Sequence, residues 1–303
     1  MAGAKEIKDR MNSIRDTQKI TNAMYLISST KLQKAKSELE HTIPYFDALR
    51  HEIRRIFRTR EDIDSRYFYP DADAETDEGT FGVLVITADK GLAGAYNQNV
   101  IREAEEIMEK HPDTKLFVVG EYGRQYFMRK NIRIEHSFLY TAQNPTMQRA
   151  REISAILLDK FDHDELDKIF MIYTDMKNSV NTEAKSTRLL PFHRAHFMTE
   201  EKENDTTDGD EYEFFPSMGE LLDNVMFSYV SGYIYSALVD SFCSEQNARM
   251  TAMSSANENA EKIIGELEIQ YNRVRQANIT QEITEVIAGA KAQKKKRMRE
   301  VSK

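Results

Sequence analysis

The stretch VLVITADKGLAGAYNQNV, residues 83–100, runs an apolar segment into a turn holding Gly91 and Gly94 and then into helix-like sequence. That order is shared with phosphate-binding loops, where glycines let backbone amides close around an anion at a helix N-terminus. The spacing differs. A dinucleotide fingerprint needs G-x-G-x-x-G and a Walker loop needs G-x-x-x-x-G-K-[ST]. Here Lys90 precedes the first glycine and no Ser or Thr follows the second. The spacing predicts a tight strand-to-helix turn with Asn97 near the helix cap, and nucleotide binding stands as the alternative. Two further clusters have metal or acid–base character. HRAH (193–196) sets two imidazoles three apart, a usable metal spacing, but no Cys or well-spaced carboxylate joins them. FDHDEL (161–166) sets carboxylates beside His163 and reads as a solvated cap before a strand. The other acidic groups lie in charged linkers, without the burial that tunes a catalytic pKa. The single Cys243 reads as a half-buried helix residue and excludes an internal disulfide. No metal or cofactor site is expected.

These residues sit on three kinds of element. Residues 3–58 carry apolar positions at Ile7, Met11, Ile14, Ile20, Met24 and Ile27, which predicts a helix that Pro44 kinks or restarts. From 80 to 200, short β-branched runs (83–87, 116–119, 132–136, 169–174) alternate with helical stretches (97–110, 121–129, 146–161). A last short strand falls in 186–192. Such alternation predicts βαβ units and a mainly parallel sheet. After Pro216 no proline occurs, and a wide apolar stripe runs from Leu221 to Ile287. About 80 residues at 1.5 Å each would span roughly 120 Å. A helix so long must bury its stripe, and the other long helix lies at the opposite terminus. The two are therefore expected to pair as an antiparallel coiled coil around an inserted Rossmann-like α/β domain. The expected division is 1–60 N-terminal helix, 61–79 acidic linker, 80–200 α/β domain, 201–215 acidic loop and 216–303 C-terminal helix with a basic tail.

Composition agrees. Of 303 residues, 40% are hydrophobic and 30% charged, with only 12 Gly and 6 Pro, a balance that favours long helices over loops. The net charge of −8 is uneven: residues 1–60 hold 13 Lys/Arg and 7 Asp/Glu, a surplus of 6, which leaves −14 for the rest. Residues 291–303 hold seven Lys/Arg against one Glu, and read as a solvated helix end sooner than a nucleic-acid site. No apolar leader stands at the N-terminus, and the longest uncharged run, 224–239, is shorter than the roughly 18 residues of a spanning helix.

The termini also resemble a known family. IKDRMNSIRDTQKITNAMYLISSTKLQKAK (7–36) is similar to the opening helix of F-type ATP synthase gamma subunits of bacterial type. The segment 244–290, SEQNARMTAM through EVIAGA, is similar to their closing helix. ITADKGLAGAYN (86–97) resembles their central strand-turn motif, and NTEAKSTRLLPF (181–192) matches more loosely. The resemblance implies a rotor shaft: a coiled coil inside a ring of three alpha and three beta subunits. Its α/β base would rest on the epsilon subunit and the membrane c-ring. It implies a peripheral place on the cytoplasmic face of the bacterial cell membrane, no catalytic residue in this chain and no nucleic-acid partner. It carries subunit-contact roles onto Met24 in KITNAM, Arg249 in NARMTAM, and Gln276, Thr280 and Glu282 in RQANITQE. The sequence departs from the family at Ala93, where Cys is usual, and in a tail beyond Ala290 that would extend the helix or fray. A nucleotide-binding α/β protein with a scaffolding coil is the alternative reading.

Overall fold

The computed structural model describes residues 3–59, 65–69, 79–139, 141–176, 182–193, 197 and 217–301. The elements are α1 (Ala4–Thr59), β1 (Phe81–Ile86), α2 (Tyr96–Lys110), β2 (Lys115–Val119), α3 (Glu121–Arg129), β3 (Ile134–Phe138), α4 (Met147–Asp162), β4 (Lys168–Met176), β5 (Thr182–Leu190) and α5 (Met218–Val301). They form two compact units, 28–250 and a second made of 1–27 with 251–303, and both terminal helices run from one into the other.

In the larger unit the strands lie in the order β3-β2-β1-β4-β5. β1 pairs in parallel with β2 and β4, β2 pairs in parallel with β3, and β5 returns antiparallel to β4. Every residue of β1 is buried because helices cover both faces. Alternation along the strand sends Val83 and Val85 to one side and Leu84 and Ile86 to the other. The first pair packs with Val100, Ile101, Ala104 and Phe127 of α2 and α3. The second joins a larger core with Ile153 and Leu157 of α4, Ile53, Ile56 and Phe57 of α1, and Met226, Val230, Ile234 and Leu238 of α5. Thr146, read from sequence as the first residue of a helical stretch, caps α4 by accepting from the Arg149 amide.

Pro44 does not restart α1, which passes through it unbroken. Leu39, Phe46 and Leu49 on either side of the proline pack on the same core, and that shared packing outweighs one lost helical hydrogen bond. The last strand is also longer than the sequence suggests. β5 takes in the polar residues from Thr182 because pairing with β4, including Asp175 with Lys185 at 2.6 Å, supplies what hydrophobicity does not. Within the stretch read as an acidic linker, Tyr67 and Phe68 are buried, with Phe68 bridging to Phe192. The rest of that stretch, apart from 65–69 and Gly79, and the whole acidic loop 201–215 lie outside the described residues.

The smaller unit is an antiparallel helix pair. Arg15 reaches Glu268 at 2.8 Å, Gln18 reaches Glu261 at 3.3 Å, and Thr21 bonds Asn257, so the numbering rises on one helix as it falls on the other. Ile7, Met11 and Leu267 are buried in its seam, flanked by Ile14, Tyr271 and Val274. Ile20, Leu26 and Ile27 on α1, and Ile279, Ile283, Val286 and Ile287 on α5, stay exposed.

Candidate functional site

In a sheet of this order, ligands bind outside the carboxyl ends of β1 and β4, where the chain's direction of winding switches. The turn 87–97 leaves β1 at that point. Its backbone is tied first to α3. Asp89 Oδ1 accepts from the Glu121 amide at 2.9 Å, the Ala88 carbonyl from Tyr122 at 3.1 Å, and Thr87 Oγ1 from Gly123 at 3.0 Å. The three amides that would greet an anion at the head of α3 are thereby taken. Asn97 does not cap α2; its Oδ1 accepts from the Ala88 amide at 2.9 Å. Only one of the two glycines is required by the backbone: Gly94 has φ +55°, Gly91 shows no such angle, and the left-handed position between them is filled by the exposed Leu92, φ +64°. A side-chain carbon built on either glycine would meet nothing within 4 Å.

The crevice itself is filled by α5. Ala88, Ala93 and Tyr96 form a small buried cluster against Ala248. Ser241 Oγ accepts from the Thr174 amide at 3.2 Å and Ser244 Oγ donates to the Thr174 carbonyl at 3.3 Å, fixing the helix to the end of β4. Arg249 Nη2 donates to the Gly91 carbonyl at 3.2 Å and pairs with Glu245 Oε1 at 2.6 Å, both side chains nearly buried. Burial pushes the Glu245 carboxyl up from its ordinary value, against the pull of Arg249. Burial and then the Glu245 charge hold the Tyr96 phenol well above its usual range. One turn earlier on α5, burial and then Asp175 push Asp240 up to about 6.

Of the contact positions carried over from the family, Arg249 alone stands in this site, beside the turn that holds Gly91, Ala93, Gly94 and Asn97. Met24 is half-buried on α1; Gln276, Thr280 and Glu282 are exposed on α5, and the Thr280 hydroxyl donates to the Gln276 carbonyl at 2.9 Å. Cys243 is fully buried in the core, where its surroundings push the thiol up to about 12. His193 stacks on Tyr69 and lies 3.0 Å from Arg188; the rest of HRAH is outside the described residues. In FDHDEL, Asp164 pairs with Arg66 at 2.7 Å and His163 Nδ1 bonds the Asp159 carbonyl, a solvated cap as expected. No group of three metal-binding side chains occurs among the described residues. Tyr96, Ser241, Ser244 and Glu245 were not singled out by sequence. Their signal was a polar stripe at 241, 244, 245 and 249 on one face of an otherwise apolar helix.

The fold and site define a class: an α/β body of dinucleotide-fold topology whose ligand crevice is stoppered by its own terminal helix, that helix running on to pair with the other terminus. The ATP synthase family model matches residues 3–293. The ATP synthase gamma chain of Acetivibrio thermocellus is 42% identical over 300 residues, covering 97% of this chain and all of that one. The gamma chain of Ruminiclostridium cellulolyticum is 39% identical, covering 95% and 98%. The central stalk and c-ring structure of the Tetrahymena thermophila mitochondrial ATP synthase contains a chain of the same fold, with TM-score 0.60 and 23% identity, covering 78% of this chain and 99% of that one. The chain belongs to the ATP synthase gamma chain family.

Proposed function

We propose that this chain is the central rotor shaft of an F-type ATP synthase, carrying c-ring rotation into an alpha–beta hexamer and so coupling ion flow to ATP synthesis or hydrolysis. The observation that carries the reading is the antiparallel pairing of residues 7–21 with 257–274, within the family match over 3–293. A paired-helix shaft resists bending, and an asymmetric one biases surrounding subunits by touching each of their conformations differently. The exposed Ile20, Ile27, Ile279, Ile283 and Val286 supply the apolar part of such a surface. Met24, Gln276, Thr280 and Glu282 are the proposed subunit-contact positions, with alpha, beta, epsilon and the c-ring as partners, and Arg249, nearly buried against Gly91, takes the proposed role in rotor packing. Among the described residues no helix is long and apolar enough to cross a membrane, and the proposed attachment to the cytoplasmic face of the cell membrane runs through the complex.

Co-expression with alpha and beta subunits tests the reading. A stable, ATP-hydrolysing complex should form with this chain and not without it. A hexamer that neither binds the chain nor changes its activity would end the rotor reading. The nucleotide-binding alternative is disfavoured by the stoppered crevice, and titration calorimetry of the chain with ATP should show no heat of binding.

A further inference from the structure

The apex of the turn, residues 90–92, is exposed, and among the described residues Arg249 supplies its one hydrogen bond, to the Gly91 carbonyl. A guanidinium offers five donors on a long flexible stem, so its direction must be imposed. Glu245 lies one helical turn away on α5 and grips Nη2 at 2.6 Å. Side-chain exposures of 8% for Glu245 and 10% for Arg249 leave both charges dependent on each other. The bonds from Ser241 and Ser244 fasten β4, not the turn. We infer that Glu245 is a positioning residue: it aims Arg249 at the Gly91 carbonyl, and the clasp so formed makes the turn move with α5 when the shaft rotates. The inference rests on the rotor reading above. The ring of Tyr96 and the methyl of Ala93 pack the turn against Ala248 from below, so loss of the clasp should free the apex without unfolding the sheet.

The test uses the whole ATP synthase assembled with the native chain, with Glu245→Gln, and with Glu245→Gln/Arg249→Met, which removes both charges of the pair. Hydrogen exchange of a peptide spanning 88–97 should quicken about five- to twenty-fold in both variants. Peptides from β1 and β4 should keep their rates. In inverted membrane vesicles the ratio of ions pumped to ATP hydrolysed should fall in both variants. Unchanged exchange at 88–97 overturns the inference. So does an equal loss of protection across β1 and β4, which would make Glu245 a general stabiliser. A freed turn with an unchanged pumping ratio overturns it too, since the turn would then not need to follow α5. Failure of the native chain itself to assemble would count against the rotor reading instead.

Discussion

Gly120, between β2 and α3, is where the close packing of the site can be measured. Its φ of +94° and ψ of 143° fall in a region that essentially only glycine occupies, and forcing another residue there costs about 1–3 kcal/mol. The site is also crowded. A methyl carbon at Gly120 would lie 2.8 Å from the Ala88 carbonyl oxygen and closer still to that of Thr87. Both are backbone atoms, and Ala88's carbonyl also holds the Tyr122 amide, so neither can swing aside as a side chain would. Overpacking of this kind adds about 1–3 kcal/mol, for a total of about 2–6 kcal/mol in Gly120→Ala. Gly94→Ala is the matched comparison: it too has positive φ, but its methyl meets open space, so about 1 kcal/mol is expected. Hydrogen exchange at β1 and β2 amides reads both on one scale. At tenfold per 1.4 kcal/mol, Gly120→Ala should speed global opening by at least about 25-fold and Gly94→Ala by about five-fold. Equal effects would refute the argument, because the backbone collision is the term that separates them.

In the helix pair, Leu267→Ala should cost about 2–4 kcal/mol of local stability, whereas Arg15→Ala should cost under about 1 kcal/mol because the Arg15–Glu268 pair is about half exposed; exchange at amides of 251–275 would rank them. Asp240, held at about 6 against 3.8 when unfolded, makes stability fall as pH rises from about 4 to 6. Asp240→Asn should therefore stabilise the chain above pH 6, by up to about 3 kcal/mol, and lose that advantage below pH 4; denaturant titrations at pH 4 and 8 would expose the opposite trend. A methyl at Gly232 would overlap the ring of Phe46, so Gly232→Ala should destabilise, and Gly232→Ala/Phe46→Ala should cost less than the sum of the single changes in a double-mutant cycle. Truncation after Ala290 should leave assembly with alpha and beta intact, as gel filtration of the co-expressed complex would show.

Local pattern revealed what local physics decides. α3 begins and ends where periodicity placed it, and the strand cores at 83–86 and 116–119 follow from β-branched runs buried on both faces. The proline at 44 misled because a tertiary core held both sides of the helix, information absent from the neighbouring residues. The site was harder still. Gly91 and Arg249 are 158 residues apart, and a polar stripe on a helix ordinarily faces water. Only the closing of α5 over the sheet turns Ser241, Ser244 and Glu245 into interior groups. The glycine pair that suggested phosphate was informative about a turn and not about a ligand. Leu92, which no rule for left-handed backbone would select, takes the strained place between them.

The pairing of residues 7–21 with 257–274 sets an order for biosynthesis. The segment 1–27 leaves the ribosome with Ile7 and Met11 uncovered, and the 223 residues from 28 to 250 must follow before the chain reaches Thr251. At roughly 5–20 residues per second that delay is about 10–45 s. The strands and their covering helices α2 to α4 are complete well before then. The seam of the helix pair closes last, and its open half is an aggregation hazard for as long as synthesis lasts.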